Sequence, residues 1–193
     1  MAQVKIKNEK ILSDENYTLK QIDFDIQKKN GEWEEQKREV YDHGNAVTVL
    51  LYNKQKQTVI FTRQFRIATY VNGNPTGMLL ETPAGLLEEK EVPEEGMLRE
   101  IQEETGYALT ELQKVYECYT SAGVLTELVH FYVAPYADEQ KVAKGGGLEE
   151  EGEELTVIEM PFEEAVQQMQ NGELRDVKTI LLLQYAQLNK LLD

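Results

Sequence analysis

Cysteine is nearly absent from this 193-residue chain, with Cys118 the only one. No internal disulfide can form and no multi-cysteine zinc site can be built. A reducing compartment, the cytoplasm, is therefore expected. Histidine occurs only as His43 and His130, too far apart to suggest a motif, and His130 lies in an apolar stretch that reads as structural. No apolar run approaches the roughly 20 residues that span a bilayer. The longest candidate, residues 179–183, is soon broken by Gln184 and Gln187. The first five residues lack the apolar core of a signal peptide. Cations are scarce as well: 20 Lys and Arg against 35 Asp and Glu give a net charge of −15. Such a surface repels phosphate backbones, so neither a nucleic-acid partner nor a membrane is expected.

What is present suffices for a core. Hydrophobic residues make up 41% of the chain and are spread throughout, which fits one domain with a small appendage. The excess acid is explained by solubility for most of its members. The alternative for some is that they gather to hold divalent cations, and only spacing separates the two.

The N-terminal part reads as short strands at 4–6 and 11–12, then an alternating strand at 17–26. Asn30 and Gly31 signal a hairpin turn, and residues 33–41 return as a charged partner strand. Residues 1–42 thus form a small antiparallel sheet that needs the remainder, or a second copy, to be stable. Residues 43–193 form the main domain. Strands are predicted at 46–52, 58–66, 79–83, 112–119, 128–134 and 155–160. Helices are predicted at 93–105, 162–171 and 176–191, and residues 145–154 read as a flexible acidic loop. The order of elements gives an α+β or layered α/β/α domain.

The helix from Pro93 is the most informative element. At 100° per residue, Met97, Leu98, Ile101 and Thr105 share one side, and Glu100, Glu103 and Glu104 share the other. Glu100 and Glu104 are a like-charge pair one turn apart, which costs roughly 0.2–0.5 kcal/mol in an isolated helix. Arg99 is the sole cation of this helix and can pair with Glu103. A solvated acidic face is one reading. The other is that Glu100 and Glu104 converge on hard cations, which prefer carboxylate oxygens.

The residues Gly85, Glu91, Arg99, Glu100, Ile101, Glu103, Glu104, Gly106 and Tyr107 fill every fixed position of the Nudix box. A match at one given start has a chance of about 10⁻⁸ from composition alone. In this the chain resembles the Nudix hydrolase family. Flanking segments at 37–41, 63–66, 84–87, 126–127, 145–147 and 172–179 look like the nucleoside-diphosphate-sugar branch. The resemblance covers essentially the whole chain. It implies an α/β fold, an α/β/α sandwich with a mixed central sheet beside the small N-terminal antiparallel sheet, and a homodimer formed through that small sheet.

The resemblance further implies Mg²⁺-dependent hydrolysis, with Mn²⁺ as substitute, of the diphosphate bridge of a nucleoside diphosphate sugar. GDP-mannose is the preferred substrate and ADP-ribose the alternative. A non-catalytic nucleotide-sugar sensor is a further alternative, and a calcium-buffering acidic protein a third reading. Glu100 and Glu104 are the implied main metal ligands, with the backbone carbonyl of Ala84. Glu103 either ligates metal or pairs with Arg99, and Glu91 orients Arg99 or its loop. Gly85 and Gly106 permit tight turns. In the acidic loop, Glu151 reads as the general base and Glu153 as a further ligand, with Glu149 or Glu150 open as substitutes, because this loop carries about two residues more than in similar enzymes. Substrate contacts fall on Asn16, Tyr17, Arg38, Glu39, Arg66, Ala84, Gly85, Leu86, Glu127, Gly147 and Lys178. A surface ion pair is the alternative for each arginine.

Overall fold

A computed structural model describes residues 3–148 and 154–193. Contacts divide the chain into two units, Met1–Asn45 with Tyr119–Leu128, and Ala46–Cys118 with Val129–Asp193.

The first unit is an antiparallel meander of β1 (Val4–Asp14), β2 (Thr18–Gln27) and β3 (Trp33–Asp42). The two short segments expected at its start are one strand. Bulges follow Ile6 and Ile11, so Lys7 and Leu12 are each an extra residue against β2. A bulge re-phases which side chains share a face, and this explains why the alternation in the sequence breaks while the pairing continues. Val4, Ile6 and Ile11 stay 54%, 62% and 59% exposed. Residues 119–128 join this unit at Tyr41, whose N–H donates to the Val124 carbonyl (2.8 Å) and whose carbonyl accepts from the Thr126 N–H (3.1 Å).

The second unit is built on a seven-stranded mixed sheet. Its main path is β10 (Thr156–Pro161), β5 (Thr58–Phe65), β4 (Ala46–Asn53), β9 (Leu128–Pro135) and β8 (Gln113–Tyr119). Only the β4–β9 pairing is described as parallel, while β4–β5 and β5–β10 are antiparallel. Strand β4 is apolar on both faces, and each face has its own core. Val47, Val49 and Leu51 pack with Ile60 and Tyr132 toward Met97 and Ile101 of the acidic helical segment. Leu50, Phe61, Phe131 and Val133 pack toward α3 (Phe162–Gln170) and α4 (Val177–Leu188) through Ala165, Leu182 and Leu183. Helices cover both sides of the sheet, the layered arrangement expected, and each fully buried aliphatic contributes about 1.5–3 kcal/mol.

One departure from a regular sheet creates the site. Strands β4 and β5 pair only at residues 51–53 with 58–60. Beyond that they part. Strand β6 (Met78–Glu81) pairs with β5, and β7 (Ala84–Leu86) pairs with β4. Residues 78–86 enter as a wedge, with the short helix α1 (Ile67–Val71) in the preceding connection, which the sequence did not reveal. The bend of the wedge is held by fully buried threonines. The Thr48 hydroxyl lies 2.9 Å from that of Thr82 and donates to the Pro83 carbonyl (3.1 Å). The Thr82 N–H donates to the Thr179 hydroxyl (2.7 Å), which donates to Asp176 Oδ2 (2.7 Å). Asp176 also caps α4 by accepting from the Thr179 N–H (2.9 Å).

Burial opposes ionisation of Asp176, but the Lys178 ammonium and the Thr179 donors outweigh it, and its carboxyl lies below the usual range. Its contribution to stability is therefore fully present above the unfolded value, about 3.9, and is lost as pH falls through the lower folded one. Asp176→Asn should cost about 3 kcal/mol at neutral pH, and the gap from the parent should narrow below pH ~4. Urea denaturation across pH measures this, and a gap independent of pH contradicts it.

Candidate active site

The acidic helix starts where proline allows it. Pro93 occupies the first turn of α2 (Pro93–Glu100), after an extended Val92, and Glu94 and Glu95 face the positive end of the dipole. The expected single helix over 93–105 is α-helical only to Glu100. Residues Ile101–Thr105 form a π turn, closed by Gly106 at φ 77°. A π turn changes the angular offset between side chains on either side of it.

Glu100 and Glu104 are not on a solvated face: they are 8% and 1% exposed. The wedge covers them. A Cβ on Gly85 would lie 1.9 Å from the Glu100 carboxyl carbon and 2.0 Å from its Oε1. Gly85 is thus required by the close approach of that carboxylate, and the tight-turn reading of this residue is corrected, because its φ lies outside the left-handed region. The turn reading holds for Gly106, where a Cβ would also meet the Ala143 carbonyl oxygen at 2.1 Å. Glu104 Oε2 accepts from the Ala84 N–H at 3.1 Å. Two buried carboxylates therefore flank the backbone of residues 84 and 85.

Arg99 ties the segment together. Its Nε and Nη2 donate to the two oxygens of Glu91 (3.0 and 3.1 Å). Its Nη1 donates to Glu100 Oε1 (2.8 Å) and Glu103 Oε2 (2.9 Å), and Nη2 also reaches the Leu86 carbonyl at 3.3 Å. Hydrogen bonding to Arg99 holds the Glu91 carboxyl below its usual range, and the three carboxylates raise the guanidinium in return. Gly96, which the sequence reading passed over, lets this happen: a Cβ there would meet Glu91 Oε2 at 2.8 Å. A glycine inside an otherwise helical run was the available signal.

The glycine run after β9 is positioned by the same segment. The Gly146 N–H donates to the Glu104 carbonyl (2.8 Å), and the Gly147 N–H donates to that of Glu103 (3.3 Å). Gly145 (φ 72°) approaches so closely that a Cβ would meet the Thr105 carbonyl carbon at 2.5 Å. The expectation of a flexible loop from Gly145 onward is corrected at its start, since these glycines satisfy the carbonyl end of the helix. Glu149, Glu150, Glu151 and Glu153 lie outside the described residues.

A second cluster sits at the other end of the wedge. Arg66, just after β5, donates from Nε and Nη2 to the two oxygens of Glu81 (2.8 and 3.0 Å). Lys178 Nζ lies 3.5 Å from Glu81 Oε2 and 2.7 Å from Asp176 Oδ1. Burial works against both cations, yet the carboxylates prevail and both are raised above their ordinary values. Glu81 and Asp176 were missed from sequence. Asp176, three residues before Thr179 at the head of a leucine-rich run, had a legible capping pattern. Glu81 had only its oddness as an acid in an apolar strand.

The remaining expected contact residues belong to the first unit. Asn16 and Tyr17 form the β1–β2 turn. The Tyr17 ring meets those of Tyr41 (6.0 Å, edge-on) and His43 (5.3 Å). Arg38 and Glu39 are exposed on β3, with Arg38 donating to the Lys37 carbonyl and to Gln36 Oε1. Glu127 accepts from the Thr120 hydroxyl at 2.7 Å.

No three His, Cys, Asp or Glu side chains among the described residues converge as a metal cage. Two buried carboxylates against the Ala84–Gly85 backbone nonetheless fit a hard divalent cation such as Mg²⁺. That ion keeps several waters and is commonly held by one or two carboxylates together with substrate phosphates.

Comparison with known proteins shows what the chain is similar to. Residues 42–183 match the NUDIX domain, and residues 3–41 match the GDP-mannose pyrophosphatase NudK N-terminal domain. The chain is 49% identical over 191 residues to a GDP-mannose pyrophosphatase of Escherichia coli O1:K1, covering 99% of this chain and 98% of the relative. It is 51% identical over 185 residues to the protein of that name from Salmonella typhimurium LT2, covering 96% and 95%. Nudix hydrolases generally need a divalent metal.

The Gly85–Glu100 contact yields a direct test. Gly85→Ala should displace the Glu100 carboxylate and weaken Mg²⁺ binding at least about tenfold, while the metal-free melting temperature changes by less than about 5 °C. Titration calorimetry and a thermal melt read the two. Unchanged affinity contradicts the assignment.

Proposed function

The chain belongs to the Nudix hydrolase family, and from that premise we propose that it hydrolyses the diphosphate bridge of GDP-mannose, with Mg²⁺ and with Mn²⁺ as substitute, giving GMP and mannose 1-phosphate. The choice of substrate is supported by identity near one half, over nearly the full length, to proteins named for that activity. The chemistry is supported by one observation above others: Glu100 and Glu104 are buried against the Ala84–Gly85 backbone.

Water must attack a phosphorus atom surrounded by anionic oxygens. When bound, the metal neutralises that charge and makes a bound water more acidic. In this reading Glu100, Glu104 and the Ala84 carbonyl hold the metal, with Glu103 and Glu153 as candidate further ligands. Arg99 keeps Glu100 and Glu103 in place, and Glu91 keeps Arg99 in place. Glu151 accepts the proton of the attacking water. The water oxygen bonds to one phosphorus as the bridging oxygen leaves with the other. Arg66 and Lys178 donate to the phosphates. The guanidinium suits two oxygens at once, and the ammonium acts as a compact charge.

Residues 1–42 form the dimer-making part in this reading. The exposed Val4, Ile6 and Ile11 of β1 support it, since a three-stranded sheet gains stability by covering such a face. Asn16, Tyr17, Arg38, Glu39 and Glu127 then serve substrate recognition. Among the described residues no helix is long and apolar enough to cross a membrane. With a single cysteine in the chain, we place the enzyme in the cytoplasm.

The test is incubation with Mg²⁺ and GDP-mannose or ADP-ribose, followed by separation of products. GMP and mannose 1-phosphate are expected, and Glu104→Gln should lower kcat by about 10³ or more while leaving a cooperative melt. Mononucleotide release from ADP-ribose alone contradicts the substrate, and equal rates for variant and parent contradict the metal ligand.

A further inference from the structure

The cluster around Glu81 has an asymmetry that an ordinary structural ion pair lacks. Glu81 is 2% exposed, opposite Thr62 in the β5–β6 ladder, and both its oxygens are occupied. Its main partner is only partly covered: the Arg66 side chain is 41% exposed. Arg66 spends Nε and Nη2 on Glu81, and among the described residues no hydrogen bond is made by its Nη1. Lys178 directs its ammonium to Glu81 and Asp176. An ammonium has three N–H donors, so one remains.

Charge alone does not explain the arrangement. Glu81 and Asp176 cancel Arg66 and Lys178, so the cluster adds no net attraction for an anionic substrate. What the buried carboxylate does supply is direction. It fixes the plane of a guanidinium and the place of an ammonium, two side chains whose freedom would otherwise be lost on binding. Glu81 ends β6, three residues before Ala84, whose N–H meets Glu104, so this cluster and the proposed metal ligands are held by the same segment.

We propose that Glu81 is a positioning residue for substrate binding, holding Arg66 and Lys178 so that their unspent donors meet the diphosphate of a nucleoside diphosphate sugar. This rests on the function proposed above, in which those two cations touch substrate. Glu81 itself touches none.

The experiment is a double-variant cycle of Glu81→Gln and Arg66→Ala, read by steady-state kinetics with GDP-mannose and by thermal melts. Glu81→Gln keeps the shape and removes the charge. It should raise KM roughly tenfold with kcat within about threefold, and Glu81→Asp should recover part of the loss. In the Arg66→Ala background, Glu81→Gln should change KM by less than about threefold, because its main partner is gone and Lys178, 3.5 Å away and also held by Asp176, is the one cation left for it to position. An equal loss in both backgrounds means a purely structural role and overturns the proposal. The melts carry the test should Glu81→Gln alone fail to fold. Arg66→Ala leaves a buried carboxylate short of its main partner, so the double variant should melt above Arg66→Ala. A double variant that melts lower overturns the proposal. A parent inactive on every nucleoside diphosphate sugar overturns the proposed function along with this one, whereas an active parent with equal losses overturns this one alone.

Discussion

Two carboxylates buried one helical turn apart are an unfavourable thing to build, and the second unit is organised around that cost. Like charges roughly 6 Å apart repel by about 3 kcal/mol at an effective dielectric of about 20. Burial adds a desolvation penalty for each. The protein offsets this locally: the Ala84 N–H meets Glu104, and Arg99 meets Glu100 and spreads its charge over Glu91 and Glu103 as well. What remains is a concentration of negative charge against a strip of backbone, an arrangement that a divalent cation stabilises.

The strip exists because a β-hairpin opens. Strands β4 and β5 separate after three paired residues, and the 78–86 segment fills the gap. Its bend is fixed by hydroxyls of Thr48, Thr82 and Thr179, and Asp176 anchors the last of these from the helix on the far face of the sheet. The carboxylates end up at one end of the wedge and the cations Arg66 and Lys178 at the other. The proposed sites for a metal and for phosphate oxygens are thus both held by one short piece of chain.

Much of this was legible in the sequence, for physical reasons. The run at 46–52 announced a central strand, and the spacing of Met97, Ile101 and Thr105 announced a helix with a core-facing side. The box from Gly85 to Tyr107 singled out residues that the fold brings into close contact with one another. Less accessible was anything depending on what lies across from a residue. A helical wheel cannot show that β7 covers the glutamate side of α2, nor that Gly85 answers the Glu100 carboxylate instead of a turn. The π turn at 101–105 has no compositional mark. Glu81 and the three threonines are single polar residues in apolar strands or at a helix start, and their partners are distant in sequence. The N-terminal sheet was read as strands without its bulges, since a bulge looks like the end of an alternating pattern.

Glu100 and Glu104 gripping a divalent ion against the Ala84–Gly85 backbone is the claim on which the functional account stands. The most direct measurement is a crystal of the enzyme grown with Mn²⁺ and a non-hydrolysable GDP-mannose analogue, with anomalous scattering collected at the manganese edge. The account predicts an anomalous peak within about 2.3 Å of oxygens from both glutamates, bridged to the diphosphate. Manganese bound elsewhere, with Arg99 and Ala84 still the partners of these two carboxylates, would contradict it.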